Sequence, residues 1–210
     1  TLSSGERIMF ESIRRSWSQR KLTDPKYAHL FEEHPDELVS FDCETTSLNV
    51  KEAEIISIGA VKIRGNKVLT SDSFYVLVKP EGVMQAANVT IHGLRPKDVS
   101  NGIPVQDAIL QLLDFIGGRP LVGYYLEYDV AMVNKFLKPL LGITLPQKQI
   151  EVSALYYDQE VKRVQDGYVD LRMASIIKKL NFPDLPRHDA LNDSINVALM
   201  YLALQAQGGN

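Results

Sequence analysis

Leu38-Val39-Ser40-Phe41-Asp42-Cys43-Glu44-Thr45-Thr46 is the stretch from which the rest of the chain can be read. Its apolar residues and the polar ones that follow predict a buried strand running into a loop. Side chains on a strand alternate between faces. Val39, Phe41 and Cys43 therefore share one face, and Asp42 and Glu44 sit side by side on the other. Two carboxylates on one face of an apolar strand repel at neutral pH, and burial worsens the repulsion. Two explanations stand open here. The strand ends and its acids face water, or a hard cation such as Mg2+ or Mn2+ is held by oxygen ligands. Asp-x-Glu is too common a triplet to decide between them, so the rest of the chain must.

The chain has 210 residues, enough for one domain or at most two and for a sizeable core. Hydrophobic residues make up 45% and charged ones 23%, as in ordinary globular proteins. No apolar run reaches the roughly 20 residues of a membrane helix, and there is no secretory h-region. We therefore expect a cytoplasmic protein with no membrane partner. The single cysteine allows no internal disulfide and fits a reducing compartment. With one cysteine and 4 histidines, a Cys/His zinc site is not expected. The net charge of -3 argues against a non-specific nucleic-acid coat, though not against an enzyme that acts on nucleic acid.

Residues 1–35 read as an N-terminal basic helical extension, and 36–207 as the main domain. In the extension, Glu6 to Lys21 spaces Ile8, Met9, Ile13 and Trp17 at helical intervals. Its other side carries Arg7, Arg14, Arg15, Arg20 and Lys21, either a binding surface or the solvated face of a docked helix. Beyond the opening strand, Ile55–Ile63 and Val68–Val78 predict two more strands. The Gly65-Asn66 turn between them makes an antiparallel meander. Asn88–Gly102 reads as a loop. Helices are expected from Pro104 to Ile116, Glu127 to Leu141, Glu151 to Val164 and Leu171 to Leu180, the last capped by Asp170. A short strand is expected at Pro120–Tyr125. His188 or Asp189 leads into a final helix ending near Gln207. Strands first, then alternating helix and strand, predict an α/β fold with one mixed sheet flanked by helices.

Two helices repeat the puzzle of the opening strand. From Ala190 to Asn210 the sole charged residue is Asp193. At about 100° per residue it heads a row with Val197, Met200 and Leu204. His188 lies five residues earlier and would point about 140° away on a continuous helix. It therefore belongs to the preceding loop, leaning over Asp193. Asp129 similarly heads a stripe of Met132, Val133, Phe136 and Leu140. Each acid alone could be a first-turn residue favoured by the helix dipole. Together with the strand pair, they bring acids from three elements to one sheet.

The set Phe41-Asp42-x-Glu44-Thr45-Thr46, Tyr128-Asp129 and His188-x4-Asp193 resembles the three motifs of the DEDDh 3'-5' exonucleases. The resemblance spans residues 36 to 204, with further support from Ile55-Ile-Ser-Ile-Gly-Ala and Ile91-His92-Gly93-Leu94. It is closest to the proofreading epsilon-type subunits of bacterial replicative DNA polymerases and to free-standing relatives. The resemblance implies an RNase H-like fold, an antiparallel meander followed by parallel strands. It implies two divalent metals, Mg2+ or Mn2+, about 3.5–4 Å apart, held by Asp42, Glu44, Asp129 and Asp193. Asp42 would lie between them, Glu44 and Asp193 beside the attacking water, and Asp129 at the second. His188 would be the general base, a task that suits an intrinsic pKa near 6.5. Thr45 and Leu48 would meet the terminal nucleotide, and His92 is a further candidate contact.

One motif departs from the family pattern. Where the family usually reads Gly-His-Asn-x-x-Phe-Asp, this chain has Gly123-Tyr124-Tyr125-Leu126-Glu127-Tyr128-Asp129. The acid is kept, while Tyr124 and Tyr125 replace the pair expected beside the substrate. The implied activity is metal-dependent removal of 5'-mononucleotides from nucleic-acid 3' ends, single-stranded DNA first. An exoribonuclease of the same family is the alternative, because the chemistry acts on phosphate. Two other readings compete. One is an aspartate-nucleophile phosphatase, which would leave His188 and Asp193 unexplained. The other is an RNase H-like module that binds nucleic acid or a polymerase without cutting. A DNA polymerase or a second copy of the chain would be the protein partner.

Overall fold

Asp42 and Glu44 lie on β1 (Glu37–Thr45), the middle strand of a five-stranded sheet ordered β3-β2-β1-β4-β5. The computed structural model describes residues 15–82, 94–163, 168–183, 185–186 and 188–208. β2 (Ile55–Arg64) and β3 (Lys67–Leu77) pair antiparallel with β1 and with each other. Gly65, at φ 57°, supplies the positive φ that their two-residue turn requires. β4 (Leu121–Gly123) and β5 (Gln149–Glu151) run parallel to β1 on its other side. The sheet is thus mixed, a meander followed by parallel strands, as the sequence predicts. β5 is an addition, because its three residues read as the approach to a helix.

Alternation along β1 divides the core into two layers. Val39, Phe41 and Cys43 enter one apolar cluster with α1 (Val105–Ile116) and α2 (Leu126–Leu141). The short 3-10 helix Pro25–Phe31 joins this layer through Tyr27 and Leu30, both inside the stretch read as an extension. Leu38 turns to the opposite cluster, built on α3 (Val152–Glu160), α4 (Met173–Leu180) and α5 (Ala190–Gly208). Each fully buried Leu, Ile or Phe contributes roughly 1.5–3 kcal/mol, and Ile109, Leu112, Leu113 and Ile116 fill the first layer with no exposure at all.

α5 buries the row that Asp193 heads. Val197, Met200 and Leu204 are inside, whereas Leu191, Ile195 and Leu202 on the neighbouring row are only partly covered. On α2 the buried row runs Leu126, Asp129, Val133, Leu137 and Leu141. Phe136 and Leu140, expected on the stripe, are half-buried at its side.

Several boundaries move. α3 ends at Glu160 and starts after Glu151, which is the last residue of β5 and accepts a cap bond from Ser153 N–H. α4 starts at Met173, and Asp170 sits two residues before its N-cap Arg172. Its carboxylate is occupied there by the Arg172 backbone and guanidinium and by the Ser175 hydroxyl. A single helical turn, Pro96–Val99, lies within the expected loop. Residues 15–21 are helical, with Trp17 exposed and Arg15 donating to the Phe31 carbonyl at 2.8 Å. The rest of the expected N-terminal helix lies outside the described residues. Among the described residues no helix is long and apolar enough to cross a membrane.

Candidate metal centre and active site

The acidic face of β1 opens into a cleft of about 1120 Å³ at the C-terminal end of the strand. Asp42, Glu44, Asp129, His188 and Asp193 all line it, together with Thr45, Leu48, Tyr124, Tyr125 and Tyr128. Three elements therefore bring their acids to one place. β1 supplies two, the first turn of α2 supplies Asp129, and the first turn of α5 supplies Asp193. The two helices approach from opposite faces of the sheet.

Each acid has a structural reason to be where it is. β4 pairs with β1 only at Val39 and Ser40 before the chain turns into α2. β1 thus outruns its neighbour, and the Cys43 N–H is satisfied by Asp129 Oδ1 at 3.1 Å. On the other face Gly59 lies directly opposite Asp42 in the β1–β2 register. A Cβ on Gly59 would come within 2.2 Å of the Ala190 carbonyl carbon and the Leu191 nitrogen. The missing side chain lets α5 sit on the strand and brings Asp193 to the acidic pair. Asp189 caps α5 by accepting from Asn192 N–H at 2.9 Å. His188 has a positive φ of 64°, and its N–H donates to Asp193 Oδ2 at 2.8 Å. The loop is thereby tied to the carboxylate its imidazole overlooks.

The electrostatics are those of a site short of positive charge. Burial, then the charges of Asp129, Glu44, Asp193 and Asp189, hold Asp42 well above the usual carboxylate range. Burial and the charges of Asp193 and Asp189 push Glu44 up to about 7. Burial raises Asp129 to about 8 against the pull of its Cys43 hydrogen bond. Asp193 is raised by burial too, eased by the His188 N–H, by the His188 ring and by the nearby Asn196 amide. Asp193 Oδ1 is nevertheless buried with no hydrogen-bond partner among the described residues. One ligand atom each from Glu44, His188 and Asp193 lie within 4.8 Å of one another. The carboxylate oxygens gathered here suit a hard divalent ion, with the imidazole beside them. A carboxylate in such a group with one buried oxygen left without a partner fits a cation there. Asp42 and Asp129 adjoin this trio without belonging to it.

The other expected contacts divide. Leu48 stands 87% exposed at the rim. The Thr45 hydroxyl is engaged, donating to the Ser47 carbonyl at 3.1 Å and sharing a 2.7 Å hydrogen bond with the Tyr128 hydroxyl. The Tyr124 hydroxyl donates to the Leu171 carbonyl, and its ring packs on the second apolar cluster. Tyr125 is 54% exposed on the cleft wall. His92 lies outside the described residues.

Three contributors carry little sequence signal. Lys135 Nζ donates to the carbonyls of Val50, Lys51 and Ala53 and ties the loop after β1 to α2. Tyr128 fixes the start of that loop through Thr45 and Ser47. Glu151 caps α2 from another strand, accepting from Tyr125 and Leu126 N–H at 3.0 and 2.8 Å. One hint exists for the last: no capping residue precedes α2, so its first N–H groups need an acceptor from elsewhere.

Comparison with known proteins gives a consistent picture. The RNase_T family model, described as exonuclease, matches residues 39–201. DNA polymerase III PolC-type from Thermotoga maritima is 26% identical over 164 residues, covering 78% of this chain and 11% of that protein. DNA polymerase III subunit epsilon from Aquifex aeolicus is 22% identical over 166 residues, 79% of each chain. The chain thus spans about a ninth of the PolC-type relative, 11% of its length, and most of the epsilon relative. Among solved structures, cell-death related nuclease 4 superposes with a TM-score of 0.71 at 17% identity, covering 82% of this chain and 64% of that one. E. coli exonuclease I in complex with a dA16 oligonucleotide gives 0.70 at 12%, covering 81% and 41%.

Proposed function

The chain belongs to the RNase_T exonuclease family, and from that premise we propose that it is a divalent-metal-dependent 3'-5' exonuclease. Its substrates are nucleic-acid 3' ends, single-stranded DNA first, and its products are 5'-mononucleotides. The observation that carries this is the meeting of Asp42, Glu44, Asp129 and Asp193 beside His188 in one cleft, each with its own structural support. The polymerase subunits among its relatives and the nucleases among its structural neighbours support the same reading.

The four carboxylates would hold two Mg2+ or Mn2+ ions. Such ions polarise the scissile phosphate, lower the pKa of water and offset charge on the attacking and leaving oxygens. Glu44 and Asp193 face the attacking water, with the His188 imidazole beside them. His188 takes the proton from that water at a ring nitrogen, while its backbone stays anchored on Asp193 Oδ2. The bond broken joins phosphorus to the 3'-oxygen of the penultimate nucleotide. The relatives' names point to a DNA polymerase as the protein partner, with a second copy of this chain as the alternative.

The test is hydrolysis of the 4-nitrophenyl ester of thymidine 5'-phosphate beside 4-nitrophenyl phosphate, with Mn2+. We expect only the diester to be cleaved, and cleavage of the monoester alone would point to a phosphatase. A panel of labelled single- and double-stranded DNA and RNA then sets the preference, with RNA turnover above DNA reassigning the chain as an exoribonuclease. One observation favours a second reading, a binding module that does not cut: Tyr124 and Tyr125 stand where the family carries His and Asn.

A further inference from the structure

Tyr125 is a large aromatic residue held, against its backbone preference, on the wall of the acidic cleft. It sits at φ 53°, ψ 38°, the left-handed region that L-residues with bulky side chains seldom occupy. Strain of this kind persists where the surroundings over-determine it, and it gathers at functional sites. The clamp is Glu151 at the end of β5. Its carboxylate accepts from Tyr125 N–H at 3.0 Å and Leu126 N–H at 2.8 Å. Ser153 fixes that carboxylate in turn, with its N–H at 2.9 Å and its hydroxyl at 2.6 Å. Behind Tyr125 the Tyr124 ring stands edge-on, centroids 4.6 Å apart and planes at 65°. Tyr124 is itself tied to the Leu171 carbonyl. A clamped backbone and a fixed aromatic backing hold the side chain in place, yet Tyr125 stays 54% exposed and belongs to neither apolar cluster.

Its position explains what the exposure is for. Tyr125 precedes Asp129 by four residues, one helical turn along the same cleft wall. A nucleotide whose phosphate lies among the acids can lay its own base, or the next one, against this ring. We propose that Tyr125 is a stacking platform for an unpaired base at the 3' end of a single-stranded nucleic acid. This rests on the exonuclease reading and deepens it. Every base has a π face, so such a platform binds without regard to sequence. It also favours single strands, whose bases are free to unstack from a complement. Tyr124 is the brace of the platform and does not contact the base.

The experiment compares Tyr125→Gly, Tyr125→Phe and the unaltered chain. Glycine removes the ring and suits the left-handed backbone, so the fold should hold or gain in Tm. Binding of a fluorescent thymidine oligonucleotide is read by anisotropy with Ca2+. A second oligonucleotide has abasic residues at its last two 3' positions. The expected result is a roughly 5- to 100-fold weaker Kd for Tyr125→Gly on the normal strand. Tyr125→Phe should stay within about twofold. On the abasic strand the glycine variant and the unaltered chain should bind alike. Equal binding of all three to the normal strand would overturn the proposal. So would a glycine penalty that persists on the abasic strand, since the ring would then serve the backbone or the fold. Cleavage with Mn2+ is followed separately. If the unaltered chain cut neither strand, the exonuclease reading would fail while the binding comparison still judged the platform.

Discussion

Asp42 is held well above the usual carboxylate range by its burial and by the charges of Asp129, Glu44 and Asp193. Asp42→Asn removes that repulsion together with a proposed metal ligand. Without metal the variant should melt higher, by about 1–3 kcal/mol of added stability, while activity with Mn2+ falls by at least about a thousandfold. A variant that lost stability in EDTA would show that Asp42 is not under strain. His188 should behave differently, because its backbone N–H and not its ring holds Asp193. His188→Ala should cut kcat about 10²–10⁴-fold and keep most of the Tm rise produced by Mn2+. Full activity in this variant would remove His188 as the base. The four acids stand out in the sequence because charge on an apolar row is conspicuous: Asp193 is the one charged residue of its helix, and His188 is found only through its spacing from Asp193 and the family motif. Glu151 and Lys135 do not stand out, since each acts across more than 20 residues of chain through a backbone group that has no sequence pattern.

At the level of elements, the site depends on how closely α5 lies on the sheet. Gly59 sets that distance opposite Asp42, where a methyl group would meet the backbone at Ala190 and Leu191. Gly59→Ala should cost about 1–3 kcal/mol through overpacking. It should also raise the Mn2+ concentration needed for half-maximal activity, because the displaced helix carries Asp193. Lower stability with an unchanged metal requirement would separate the packing from the site. The long elements could be read ahead of the structure for a shared physical reason. β1 and α5 bury one face, and burial of one face imprints a period of two or of 3.6 on the sequence, while β2 is covered on both faces and reads as a nearly unbroken apolar run. β5 left no such trace. Its three residues are a strand because β4 offers Leu121, Val122 and Gly123 as partners, and that pairing is non-local. The start of α4 was misplaced for a related reason. Asp170 looks like a cap, but Arg172 and Ser175 claim its carboxylate two residues too early.

For the whole molecule, the raised carboxylates set how stability follows pH. Glu44 lies at about 7 and Asp129 at about 8 when folded, against ordinary values of 4.5 and 3.8. Between those limits the folded chain keeps protons that the unfolded chain releases. Stability from these groups is therefore complete below about pH 4 and is lost as pH rises through 7 to 8 in the metal-free protein. Bound cations replace the protons, so Mg2+ should raise Tm more at pH 8 than at pH 5.5. Melting curves in EDTA and in millimolar Mg2+ at the two pH values check this, and an equal shift at both would count against a carboxylate site. The central claim, that one cleft gathers these acids to trim nucleic acid from its 3' end, has a more direct test. A single-stranded DNA oligonucleotide labelled on its 3'-terminal nucleotide is incubated with Mn2+ and the protein. We expect the first labelled product to be a 5'-mononucleotide, EDTA to stop its release and Asp42→Asn to fail to produce it. Label that stays in full-length strands, or that appears first in longer fragments, would contradict it.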